Sequence, residues 1–265
     1  MSFWIYILFF VVSLMASVIG AICGIGGGVI IKPALDAFHA TSVSTISFLS
    51  SCTVLSMSFY SVGKGVITHE QHIDSRKDTP LAIGAVIGGL GGKELFSLVS
   101  AAFGHSEKVG AVQSICLALV TLGTLIYTVF KKRIPGKNVD SPVLCVVLGI
   151  ILGLMASFLG IGGGPINLVV LYYFFSMETK HAASSSLYVI LFSQIASLLL
   201  TVFTHTVPDF EWPSLIVMVI GGIGGGIIGR KINKLISSDK VEKLFIALMA
   251  VIILISIMNA VKYMN

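Results

Sequence analysis

Long uncharged apolar runs constrain this chain more than any other feature. The first, "FWIYILFFVVSLMASVIGAI", fills residues 3–22 without a single charge. About 20 such residues cross the hydrocarbon core of a bilayer as a helix. Comparable runs recur to the end of the chain, and the composition agrees, with 55% hydrophobic and 11% charged residues. A mean hydropathy of +0.99 is more than a soluble domain can bury. The expectation is an all-α polytopic membrane protein in contact with the lipid bilayer.

Several other classes fall away on the same reading. The first run lacks a basic leader and is too long for a signal-peptide core, so it reads as a retained helix. The net charge of +5 sits in short loops, where Lys and Arg set orientation, so no nucleic-acid partner is expected. Cys23, Cys52, Cys116 and Cys145 lie in apolar segments without a CxxC pair and read as small buried hydrophobes. His69, Glu70, His72 and Asp74 read as a solvated loop. Neither a metal nor a cofactor is expected.

Two of the runs are interrupted by the same letters. "GIGGG" occupies Gly24 to Gly28 and returns at Gly160 to Gly164. Aligning these copies brings other features into line: "HATSVS" from His39 with "HAASSS" from His181, and Pro80 with Pro213. Gly88, Gly89, Gly91 and Gly92 then match Gly221, Gly222, Gly224 and Gly225 at the same spacing. The chain divides into repeat 1 at 1–130, a linker "KKRIPGKNVD" at 131–140, and repeat 2 at 141–265, within one integral membrane domain. Helices are predicted over 3–22, 29–38, 43–62, 80–102 and 109–130, then 142–159, 165–175, 182–203, 214–230 and 241–262.

The basic residues indicate how the breaks are used. With four crossings per half, the two sides share Lys and Arg almost evenly. If each glycine break is a reversal, each half has five inserted pieces and the second half is inverted. One side then collects Lys64, Arg76, Lys77, Lys131, Lys132, Arg133, Lys137, Lys180, Arg230, Lys231, Lys234, Lys240 and Lys243. The other keeps Lys32, Lys93, Lys108 and Lys262. By the positive-inside rule this predicts inverted repeats of about four membrane helices each plus a Gly-broken half helix or re-entrant helix. Both termini lie outside and the 131–140 linker is cytoplasmic.

Paired glycine breaks in matching places of two halves point to a transporter binding site. Each break precedes a new helix, whose first N–H groups lack intrahelical acceptors and whose dipole end is positive. That chemistry favours an anion. Candidate binding residues are Gly24, Gly26, Gly27, Gly28, Gly160, Gly162, Gly163, Gly164 and Pro165, with the backbone N–H groups of 26–31 and 162–168. Lys32 and Asn167 follow the breaks closely. Lys32 has two readings, a cation facing the substrate or a side chain snorkelling to the interface, and Asp36 is placed to pair with it. Ser47 and Ser51, with Ser193 and Gln194 in the second half, extend the set. Hydroxyls donate to sulfate-like oxygens and also serve helix packing. His39 and His181 are candidates for coupling protons.

"GGIGGGIIG" formally contains GxGxxG, but no strand or soluble βαβ unit surrounds it. Gly221, Gly225 and Gly229, like Gly84, Gly88 and Gly92, read instead as small-residue helix packing.

The twin breaks, the "GIGGGP" form of the second copy and the His-Ala starts of the following helices carry a resemblance covering essentially the whole chain. It resembles the TauE/SafE-like family of sulfite and organosulfonate exporters, which includes 4-toluene sulfonate uptake permease-like transporters. The resemblance implies secondary transport of small sulfur-containing anions such as sulfite, sulfoacetate and thiosulfate. It bears on Gly24, Gly26, Gly27, Gly28, Gly160, Gly162, Gly163, Gly164 and Pro165. Val29 stands where Pro165 does, so the two half-sites are not identical.

The function expected is alternating-access transport of a small anionic substrate across the bacterial cytoplasmic membrane, and no enzymatic activity. Two rivals are an anion channel and a membrane enzyme of sulfur metabolism using Cys23 or Cys52. No GxxxxGK[ST] occurs, so coupling falls to an ion gradient or to the substrate's own. A homodimer is one arrangement the sequence allows.

Overall fold

The computed structural model describes residues 3–38, 41–68, 74–103, 106–161 and 163–264. Among them the chain forms α1 (Phe3–Cys23), α2 (Gly28–Ala37), α3 (Val43–Ile67), α4 (Asp78–Phe103) and α5 (Ser106–Phe130). Then follow α6 (Pro142–Leu159), α7 (Pro165–Phe175), α8 (Thr179–Phe203), α9 (Trp212–Leu235) and α10 (Ser238–Met264). Eight of these are long and apolar enough to cross a membrane. The two that are not are α2 and α7, of 10 and 11 residues, about 15 Å long and half of a bilayer core. The protein is an all-helical integral membrane protein, as the apolar runs predict. His39 and Gly162 lie outside the described residues, as do His69, Glu70 and His72.

Polar contacts at the helix ends show which ends lie together. The Tyr6 hydroxyl donates to Glu211 at 2.5 Å, Thr45 Oγ1 donates to the Asp209 carbonyl at 2.9 Å, and Lys262 donates to the Ala37 carbonyl at 3.0 Å. These residues form one face of the bundle, the Glu211 face. On the opposite face Lys77 pairs with Asp140 at 2.8 Å and Lys131 with Glu242 at 2.6 Å. There the linker amides of Lys137 and Val139 donate to the Tyr173 and Phe174 carbonyls at the end of α7. Thus α1 starts and α2 ends on the Glu211 face, while α6 starts and α7 ends on the Lys77 face. Each glycine break reverses the chain, as the charge pattern predicts.

Packing interlaces the two halves of the chain. Helix α1 packs on α9, and α4 on α6. The pairs α3 with α9 and α4 with α8 answer each other, as do α2 with α10 and α5 with α7. Small residues allow the closest of these approaches. A Cβ placed on Gly84, Gly88 or Gly92 would lie 2.0–2.3 Å from a carbonyl of Val146, Ile150 or Leu154 on α6, and α6 answers with Gly149 and Gly153 against α4. On α9, Gly221, Gly225 and Gly229 seat against Ser13, Leu14, Ser17 and Val18 of α1 in the same way.

Several helices run beyond their predicted ends. Helix α3 continues to Ile67 and α9 to Leu235, because the polar residues there are satisfied within the protein. Arg230 donates to the Ser61 carbonyl at 2.5 Å and to Thr68 Oγ1 at 3.0 Å. Asn233 donates to the Ile22 carbonyl at 2.6 Å.

Candidate functional site

The breaks turn on left-handed glycines. Gly24, Gly26, Gly160 and Gly163 have φ of 75°, 73°, 63° and 139°, where a side chain would be strained. Gly160 ends α6, its N–H donating back to the Ala156 and Ser157 carbonyls, which satisfies carbonyls that a helix end otherwise orphans. Gly24 follows α1, and its N–H reaches the Gly20 carbonyl at 2.8 Å.

The two breaks touch. A Cβ on Gly28 would lie 2.0 Å from the Ile161 carbonyl oxygen, so the start of α2 rests directly on the backbone between α6 and α7. Buried serines surround this contact. A Cβ on Gly28 would also lie 3.0 Å from Ser50 Oγ, one on Gly27 3.1 Å from Ser17 Oγ and one on Gly160 2.7 Å from Ser47 Oγ. None of these three hydroxyls has a hydrogen-bond partner, nor does Asn167 Oδ1. Buried polar atoms left in this state are costly, and such a cluster suits a polar ligand.

Lys32 sits at the centre, 3% exposed, and does not snorkel. Its ammonium donates to the Leu159 carbonyl at 2.9 Å and to Gln113 Oε1. Gln113 Nε2 in turn donates to the Phe158 carbonyl at 2.6 Å. Two side chains from the first half, on α2 and α5, thereby hold the final carbonyls of α6 in the second. A cation at a helix C-terminus also meets the negative end of its dipole. Asp36 is buried one turn further along the same helix.

Beside Lys32, on the Glu211 side of the breaks, lies a small cavity of about 20 Å³, room for about one water. Ser47 and Ser51 of α3, Lys93 of α4, Gln113 of α5, Ser157 and Gly160 of α6 and its break, and Ser197 and Thr201 of α8 line it. Ser157 and Ser197 share a hydrogen bond at 3.1 Å. Lys93 lies over the Phe96 ring at 5.6 Å. Two lysines and five hydroxyls thus converge where the breaks meet. Phe48, Phe96 and Leu198 complete the lining; donors dominate its polar part, and donors are what an oxyanion requires.

Of the residues singled out in the sequence, Gly28, Lys32, Ser47, Ser51 and Gly160 come together here. Gly24 packs on Ala183, Gly163 on Ile190 and Gly164 on Ile161, while Ser193 seats against Gly89. Pro165 opens α7 at its first position, where a missing N–H costs nothing. Gln194 is buried with Oε1 unpartnered. His181 lines a different cavity, on the opposite side of the breaks. The expected amide donors narrow. Those of Ile30 and Ile31 bond to the Gly27 carbonyl and that of Asn167 to the Gly164 carbonyl, which leaves Gly28, Val29 and Ile166 without an intrahelical acceptor. Sequence reasoning missed Gln113, Lys93, Ser157 and Thr201. Gln113 alone carried a signal, as an amide inside an apolar run.

A helical membrane protein whose two broken helices meet at a buried cation has the architecture of a broken-helix transporter. The family model of the sulfite exporter TauE/SafE matches residues 9–256, nearly the whole chain, and the protein belongs to that family. Comparison with curated proteins and with solved structures gave no significant match.

Proposed function

We propose that the protein is a secondary transporter of small sulfur oxyanions of the sulfite kind, with the site at the meeting of the two breaks. The observation that carries this reading is the buried Lys32 ammonium, held on the α6 carbonyls beside a cavity lined with donors. An oxyanion entering that cavity meets Lys93, the Gln113 amide and the serine hydroxyls. It competes with the Leu159 carbonyl for Lys32. Occupancy thereby loosens the tie between the halves, and the two rock against each other as inverted repeats. The cavity holds about one water as it stands, so sulfite entry requires it to widen. Sulfoacetate requires it to widen further.

The Lys77 face carries the excess of Lys and Arg, so in this reading it faces the cytoplasm of a bacterial cell and the Glu211 face lies outside. The chain ends lie on the outer side and the 131–140 linker inside.

The test is uptake of radiolabelled sulfite into proteoliposomes, with counterflow against trans sulfite. Saturable counterflow, lost in Lys32→Met and in Lys93→Met, is the expected result. Full flux in both variants rules out this site. Unitary currents without counterflow establish a channel.

A further inference from the structure

We propose that a groove along α3, walled by α8 and α9, binds an acyl chain of an anionic glycerophospholipid whose phosphate rests on Lys64. Leu55, Phe59, Gly63 and Ile67 succeed one another at four-residue spacing on its α3 side, with Ile195 of α8 and Ile223 of α9 opposite. Its volume is about 680 Å³.

The floor of the groove is bare. Phe59 is 68% and Ile67 74% exposed, and a Cβ on Gly63, between them on the same face, would meet no atom within 4 Å. Glycine inside a helix is a destabilising choice, and no neighbouring backbone requires this one. What it supplies is depth between two large side chains. The one hydroxyl inside, Ser56 Oγ, is satisfied by the Cys52 carbonyl at 2.8 Å. The interior therefore takes hydrocarbon and asks for no polar group. From Leu55 to Ile67 the helix rises about 18 Å, little more than one leaflet of a ~30 Å hydrocarbon core. A neighbouring membrane helix would use the whole thickness, whereas an acyl chain keeps to one leaflet.

The polar end of the groove fixes the headgroup. Helix α3 begins on the Glu211 face, where Thr45 holds the Asp209 carbonyl, so its last turns reach the Lys77 face. There Tyr60 and Lys64, one turn apart, complete the lining. Lys64 is exposed, and among the described residues no carboxylate pairs with it. An aromatic ring and an ammonium at this level meet the glycerol and phosphate of a lipid whose chain lies below. The positive charge selects an anionic headgroup over a zwitterionic one. Helix α3 belongs to the first half of the chain and α8 and α9 to the second, so the seated lipid lies along a seam between the halves. The inference needs only the membrane-spanning fold: a failed flux assay would remove the transport reading and leave this site standing.

The experiment is native mass spectrometry of the full-length protein in detergent, titrated with dioleoylphosphatidylglycerol or dioleoylphosphatidylcholine. Wild-type protein is expected to hold one phosphatidylglycerol about fivefold more tightly than phosphatidylcholine. Lys64→Gln removes that preference. Gly63→Leu fills the groove and weakens both lipids by about tenfold. Equal affinity for the two lipids in wild-type protein, or a preference that survives Lys64→Gln, overturns the proposal. Binding unaltered in Gly63→Leu overturns the groove as the site. Displacement of phosphatidylglycerol by glycerol 1-phosphate puts the affinity in the headgroup alone and also overturns it. A dimer peak that Gly63→Leu abolishes gives the groove to a second copy of the chain, and the proposal fails. Phe59→Ser, which removes one wall and is expected to weaken both lipids likewise, serves as the variant should Gly63→Leu not fold.

Discussion

A lysine ammonium in the depth of a bilayer persists only with compensating partners or a task. Lys32 has partners in the Leu159 carbonyl and Gln113, yet those partners alone would not select a cation. A neutral donor would satisfy them with less desolvation. Lys32→Met removes the burial cost of the charge and strands two acceptors, effects of opposite sign and each on the order of 1–3 kcal/mol. The melting temperature should therefore change little while the stabilisation by added sulfite disappears. A large drop in melting temperature instead would make Lys32 a structural residue.

Glycines separate in the same way. Gly28→Ala drives a Cβ into the Ile161 carbonyl and should cost about 1–3 kcal/mol or more, together with transport. Gly91 has nothing within 4 Å of its Cβ position, so Gly91→Ala should raise stability by about 0.5–1 kcal/mol. Thermal denaturation of the two variants against wild type checks both signs. The sequence showed that both glycines belong to repeated clusters. It did not show which one faces backbone and which faces open space, because that depends on a helix far away in the chain.

Among the elements, the spacing of Gly84, Gly88 and Gly92 was legible as a packing stripe, since every fourth residue of a helix returns to one face. Its partner was not. Helix α6 lies in the other half and brings its own Gly149 and Gly153 to the contact. Gly88→Leu should therefore part α4 from α6 and abolish the monodisperse peak in size-exclusion chromatography, while Gly123→Leu, with nothing within 4 Å of its Cβ position, leaves it intact. The short helices were legible as half-length pieces after each break. Their reversal required the charge pattern as well. The cavity beside Lys32 was only half legible: Ser47 and Ser51 share a face of α3, whereas Lys93 entered the sequence reading only as one charge among the outer loops. Nothing local to residue 93 reports that α4 leans across α3, α5 and α8.

For the molecule as a whole, the two faces make a directional prediction. In a variant whose four cysteines are replaced by alanine, Val207→Cys should react with an impermeant maleimide from outside the cell. Lys137→Cys should react only after the membrane is opened. The reverse pattern would invert the assignment of faces and leave the fold untouched. Interlaced packing makes a second prediction. A fragment ending in the linker lacks the partners of α1 and α4, so 1–135 expressed alone should be degraded, and co-expression with 136–265 should rescue it.

The pairing of α1 with α9 also sets a timetable for the ribosome. Helix α1 is made before the other helices described, and its partner begins only at Trp212. At about 5–20 residues per second, roughly 10–40 s separate the two. Throughout that interval the α1 surface carrying Ser13 and Ser17 stands among lipids or insertion machinery, whereas α4 meets α6 after little more than the length of α5. The parallel pair of α4 and α6 is therefore the natural first nucleus, and the seam of the first and ninth helices closes late, followed only by α10 on α5 and α2.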